Sequence, residues 1–96
     1  MSKQFKVFGY CPCFKCNGRN FTGVTASGTK PQANHTIAAP IQYRFGTKIV
    51  LDGYGTFYVE DRGDSSLKGN RLDRFFDTHQ EALNWGVKYC KGTVYN

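Results

Sequence analysis

The segment from Phe57 to Phe76 constrains this chain more than any other stretch. Phe57-Tyr58-Val59 enters with strand-forming residues, and Leu72 to Phe76 leaves in the same way. Between them lies a Gly/Ser/Asn/Lys loop with no apolar period. Five of the chain's seven acidic residues fall among the eighteen positions from Glu60 to Asp77. A strand–loop–strand of this kind brings Asp61, at the end of one strand, towards Asp73 in the next. Loops held on rigid strands are a common place for chemistry, and two carboxyl groups in different environments can divide acid and base roles. Asp and Gly also populate turns for purely backbone reasons. On that reading Asp61, Asp64 and Asp77 are solvated turn residues.

The rest of the chain is punctuated similarly. Gln4 to Tyr10 alternates as a strand, with Phe5, Val7 and Gly9 on one face. Phe21–Ala26 and His35–Ala39 read as two short strands, the second closed by Pro40. Lys48–Leu51 and Gly55–Glu60 flank Asp52-Gly53, a two-residue hairpin signal. Thr78-His79-Gln80-Glu81 fits a helix capping box, and Ala82, Leu83 and Trp85 continue it as an apolar stripe. Gly86 ends that helix, and Val87–Tyr95 is a last strand. Eleven glycines and a wealth of Thr, Val, Tyr and Phe support a mostly β, single-domain fold spanning residues 1–96, with one short helix near 79–86. Trp85 reads as core and His79 as surface.

Charge and cysteines narrow the function classes. The net charge is +6, and residues 1–51 hold seven Lys/Arg and no Asp or Glu. Such a surface attracts polyanions. Nucleic acid and the anionic polymers of a bacterial wall are the two candidates, and scattered rather than striped Lys/Arg argue against nucleic acid. No apolar run approaches a membrane span. Residues 1–6 show no apolar core of a secretory signal. Cys11, Cys13 and Cys16 form a C-x-C-x-x-C cluster, with Cys90 far away. With His35 or His79 these are weak zinc ligands, since the paired C-x-x-C spacing is absent. One disulfide with two thiols, or four thiols, are the alternatives, and a reducing compartment would disfavour the disulfide. No cofactor is expected.

Several short motifs in one order carry a resemblance. Tyr10-Cys11-Pro12-Cys13, Thr25-Ala26-Ser27-Gly28-Thr29, His35-Thr36-Ile37-Ala38-Ala39-Pro40, Gly46-Thr47-Lys48 and Gly53-Tyr54-Gly55 lead to Glu60-Asp61-Arg62-Gly63. Lys68-Gly69-Asn70-Arg71-Leu72-Asp73 and Phe76-Asp77-Thr78-His79-Gln80-Glu81-Ala82-Leu83 follow. In this order they resemble the 3D domain family. The resemblance implies a six-stranded double-psi β-barrel related to the catalytic barrel of MltA-type lytic transglycosylases. It also implies cleavage of peptidoglycan between N-acetylmuramic acid and N-acetylglucosamine, leaving 1,6-anhydro ends.

Of the three aspartates that name the family, Asp73 matches the last and is the candidate acid/base. Asp61 matches the middle one. The first falls where this chain has Ala39, and the loop between Asp61 and Lys68 is one residue longer than the family pattern. Thr25, Ser27, Lys68 and Arg71 are the candidate substrate-binding residues, and Ala39 is expected beside the carboxylate pair, leaving a gap. The reaction asks one carboxyl group to protonate the glycosidic oxygen and then to accept the 6-hydroxyl proton, so Asp73 must hold a proton at rest. A glycan-binding barrel without catalysis is the alternative that Ala39 raises. The expected partner is the peptidoglycan glycan strand, met by a monomer. With no secretory signal visible, a phage-type route to the wall is expected, through a holin or within a virion.

Overall fold

The computed structural model describes residues 2–12, 24–63 and 67–95. Six strands and one helix follow one another: β1 (Ser2–Tyr10), β2 (Thr36–Ala38), β3 (Lys48–Leu51), β4 (Gly55–Asp61), β5 (Arg71–Phe75), α1 (His79–Trp85) and β6 (Lys88–Tyr95). The strands close into a mixed barrel in the order β1-β5-β2-β4-β3-β6. β1 pairs with β5, and β2 with β4, in parallel; the other neighbours are antiparallel. Closure removes the exposed strand edges that an open sheet of this size would present. The expected mostly β barrel of six strands with one short helix is the observed fold.

Alternation decides which residues fill the barrel. Phe5, Val7, Ile37, Ile49, Leu51, Phe57, Val59 and Leu72 are all sealed inside, and Ala39, Tyr43 and Trp85 join the same cluster. Each large apolar side chain buried in this way contributes about 1.5–3 kcal/mol. A smaller cluster, Tyr10, Ala38 and Phe75, lies on the opposite face of β1, β2 and β5 and is flanked by Ala33 and Leu67. Period-two alternation places Phe8, Arg71 and Asp73 on that outer face too.

Helix α1 starts as the capping box predicts. The Thr78 hydroxyl oxygen accepts from the Glu81 amide at 3.2 Å and donates to the Glu81 carboxylate at 2.9 Å. Ala82 and Trp85 face the barrel, and the Trp85 indole donates to the Val7 carbonyl at 3.0 Å. Leu83 does not share their stripe and is 60% exposed. Gly9 lets the helix sit this close, because a methyl group there would meet Phe76, Trp85 and the Ala82 carbonyl at 3.0–3.2 Å.

Two local expectations are corrected. Val24–Ala26 is not a strand; Phe21–Gly23, the rest of that segment, lie outside the described residues. The Thr25 amide donates to the Thr29 carbonyl at 2.7 Å, and the Thr25 hydroxyl accepts from the Thr29 amide at 3.2 Å. Such local bonds offer the backbone an alternative to a sheet ladder. The β3–β4 hairpin loop has three residues, not two. Leu51 is already paired with Gly55, and the Tyr54 amide donates to the Leu51 carbonyl at 2.9 Å.

Candidate functional site

The two carboxylates of the strand–loop–strand segment come together through register. Strand β2 lies between β4 and β5, and Ala38 is paired with Asp61 on one side and with Asp73 on the other. Phe8 of β1 is paired with Asp73. Phe8, Asp73, Ala38 and Asp61 therefore form one row across four adjacent strands. At about 4.8 Å per strand, the backbones of Asp61 and Asp73 stand about 10 Å apart across Ala38.

Strict alternation along β4 would not place Asp61 there. Phe57 and Val59 point into the barrel, so Asp61 would follow them and Glu60 would face outward. The β2–β4 register shifts instead, from Ile37 opposite Val59 to Ala38 opposite Asp61. A bulge of this kind adds one unpaired residue and re-aims the side chain after it. Glu60 is the extra residue, and Asp61 joins Asp73 on the outer face.

Tyr10 ties the end of β1 to Asp61. Its hydroxyl donates to Asp61 Oδ2 at 2.9 Å, and its ring packs edge-on against Phe75. Burial, then the charge and hydrogen bond of Asp61, then the charges of Asp73 and Glu60 raise its pKa far above the ordinary value. The phenol thus bonds one carboxylate, Asp61, and feels the charge of two more. The other Asp61 oxygen, Oδ1, accepts from the amides of Ala26 and Arg62, both at 2.9 Å. Asp61 is therefore held in a single orientation by three donors. Asp73 is half-buried, with Oδ1 shut off from solvent. Glu60 is engaged elsewhere: it accepts from the Thr36 hydroxyl at 2.5 Å and pairs with His35 at 3.5 Å.

The 3D domain family matches residues 35–96, well over half of the chain. The chain belongs to the 3D domain family. It is 34% identical over 84 residues to YabE of Bacillus subtilis (strain 168), provisionally named a cell wall shaping protein; that match covers 88% of this chain and 20% of YabE. It is 33% identical over 87 residues to YocH of the same organism, named a cell wall-binding protein, with 86% of this chain and 30% of YocH covered. The chain thus spans less than a third of the length of these relatives.

Within this 3D domain, the residues singled out from sequence distribute unevenly. The Thr25–Thr29 turn does pack on the end of β4, with the Ser27 amide donating to the Glu60 carbonyl at 3.0 Å. Its donor to Asp61 is the Ala26 amide. Thr25 is buried, and the hydroxyls of Thr25, Ser27 and Thr29 bond to one another. Arg71 is exposed on the face of β5 that carries Asp73, and Lys68 is exposed in the turn before it. Ala39 is fully buried, its amide donating to the Asp61 carbonyl at 3.1 Å. Its methyl group joins the barrel interior, so the residue facing the carboxylate row is Ala38, and the gap expected beside the pair is not at Ala39.

The cysteines separate. Cys11 is in a disulfide, so its sulfur is no thiolate ligand, and of the alternatives left open by the sequence the disulfide is the one it takes. Cys90 is a free, buried thiol whose pKa burial raises. Cys13 and Cys16 lie outside the described residues, as does Asp64. Among the described residues no three His, Cys, Asp or Glu gather to hold a metal, and no helix is long and apolar enough to cross a membrane. His79 is half-buried, with Nδ1 3.6 Å from Cys11 Sγ.

Two side chains that sequence reasoning passed over matter here. Tyr10 ends β1, and its alternation with Phe5 and Val7 signalled an outward residue, yet the cover that buries it comes from Phe75. Arg74 alternates with Asp73 and so points inward. Its guanidinium lies 4.7–4.9 Å from the ring centroids of Phe57, Phe76 and Trp85, and donates to Asn34 at 2.6 Å. Burial lowers its pKa.

Proposed function

We propose that this 3D domain binds the glycan strand of the bacterial cell wall and cleaves it as a lytic transglycosylase. The observation that carries the reading is the Asp61–Ala38–Asp73 row on one outer face, with Asp61 bonded by Tyr10. In this reading the Asp73 carboxylic acid protonates the oxygen between N-acetylmuramic acid and N-acetylglucosamine, and the C1–O bond breaks. The muramic acid 6-hydroxyl closes on C1, and the Asp73 carboxylate takes its proton. No water is consumed, and Asp73 ends as it began. A single carboxyl group serves both steps because the nucleophile belongs to the substrate, unlike the two-carboxylate hydrolases. Asp61, with three donors already on it, is a positioning residue whose fixed charge favours the cationic sugar ring. Exposed Arg71 and Lys68 lie where a polymer crossing the row would meet them.

Binding without cleavage is the second reading. The absence of a family aspartate at Ala39 favours it, as does the name of YocH, a cell wall-binding relative. Mass spectrometry of purified peptidoglycan after incubation with the protein separates the two. Anhydro-muramic ends are the expected product. Reducing ends would mean hydrolysis, and retained binding with no product would leave the second reading standing.

A further inference from the structure

The loop between β2 and β3 borders an open cavity of about 220 Å³ lined by Arg44, Phe45, Gly46 and Thr47. We infer that this cavity is a carboxylate-binding subsite for the peptide stems carried by the wall glycan. The inference rests on the cell-wall reading above and deepens it.

Position comes first. The Gly46 amide donates to the Val59 carbonyl at 2.8 Å, and the Val59 amide donates to the Thr47 carbonyl at 2.9 Å. The cavity wall is therefore stitched to β4 two residues before Asp61. Gly46 has φ 89°, a left-handed conformation that a side-chain-bearing residue adopts only at a cost, so the loop shape depends on glycine here. Arg62, directly after Asp61, reaches back over the same loop. Its guanidinium stacks 4.1 Å from the Phe45 ring centroid, and Nη1 donates to the Ala39 carbonyl at 3.3 Å and the Asp61 carbonyl at 3.4 Å.

Charge comes second. Neither Arg44 nor Arg62 has an acidic partner among the described residues. Asp61, next to Arg62 in the chain, has both oxygens occupied by Tyr10, Ala26 and the Arg62 amide. Arg44 thus lines the cavity beside a half-exposed Phe45 ring that carries the Arg62 guanidinium on its face. A guanidinium matches a carboxylate in a planar, two-bond geometry, and stacking on a ring pre-orders it at little entropic cost.

Size comes third. Cavities that hold a whole drug-sized ligand measure roughly 300–1,000 Å³. This one is smaller and open, so it suits a side group of a polymer whose main chain lies elsewhere. A glycan strand crossing the Asp61–Asp73 row carries such groups: peptide stems that end in, or branch through, carboxylates.

The test is binding of the full chain, on ice, to intact sacculi and to sacculi stripped of their stems by an amidase. Intact material is expected to bind about ten-fold more tightly, the value of one hydrogen-bonded charge pair. Arg44→Gln is expected to lose that margin on intact sacculi and to bind stripped glycan as the wild type does. Because Arg44 is exposed, the charge reversal Arg44→Glu offers a second variant that folds, with a larger loss confined to intact sacculi. Equal wild-type binding to both materials, or equal weakening of both by Arg44→Gln, overturns the subsite while leaving the wall reading in place. Binding to neither material overturns both.

Discussion

Replacing Tyr10 by Phe removes the hydroxyl that bonds Asp61 and leaves the ring packed on Phe75. At neutral pH the variant loses a hydrogen bond to a charged acceptor, worth about 1.5–3 kcal/mol. Asp61 is half-exposed, so water replaces part of that, and the net loss is about 1–1.5 kcal/mol. For a domain of this size that lowers Tm by about 4–12 °C. The alkaline side gives the sharper result. Burial, Asp61, Asp73 and Glu60 keep the proton on folded Tyr10 well above the usual tyrosine pKa near 10. The folded value is raised, so this contribution is complete below about pH 10 and is lost as pH rises beyond it. By pH 11 the wild type has given up about 1.4 kcal/mol that the Phe variant never had. Urea unfolding followed by the fluorescence of Trp85, the single tryptophan, measures both proteins from pH 7 to 11. The stability gap should close near pH 11. A gap that stays constant across that range would refute a buried Tyr10 hydroxyl bonded to the Asp61 carboxylate.

Asp73→Asn should fold with an unchanged circular dichroism spectrum and release no anhydro ends from peptidoglycan, since an amide cannot donate and recover a proton; a folded variant that still cleaves removes Asp73 from the mechanism. Gly92→Ala should cost about 1–3 kcal/mol in thermal or urea unfolding, because the added methyl would lie 2.9 Å from the sealed Phe5 ring and 3.0 Å from Leu51. A chelator should leave Tm unchanged while a thiol reductant lowers it, as Cys11 is held in a disulfide; the opposite pattern would restore the zinc reading of the cysteine cluster.

The strands and the helix were legible in the sequence because their signals are local. Phe57 and Val59 alternate against Thr56 and Tyr58, Asp52-Gly53 marks a turn, and Thr78 with Glu81 starts a helix. The chain order of short motifs around Asp61 and Asp73 was likewise enough to name the family and the barrel. What failed locally failed for a physical reason. Val24–Ala26 looked like a strand by composition, but the Thr25 hydroxyl and amide are spent within their own turn.

The site itself was decided by tertiary structure. Sequence placed Asp61 and Asp73 at the two ends of a loop; only the β2–β4 bulge turns Asp61 from the barrel interior onto the face of Asp73. Tyr10 comes from fifty-one residues away in sequence to bond Asp61, and no local pattern encodes that meeting. Arg62 and Phe45, on different elements, likewise stack only once the barrel has closed. Alternation and turn chemistry are properties of neighbouring residues and can be read one segment at a time. Register, and the hydrogen bonds that register permits, depend on how separate strands align once the barrel closes.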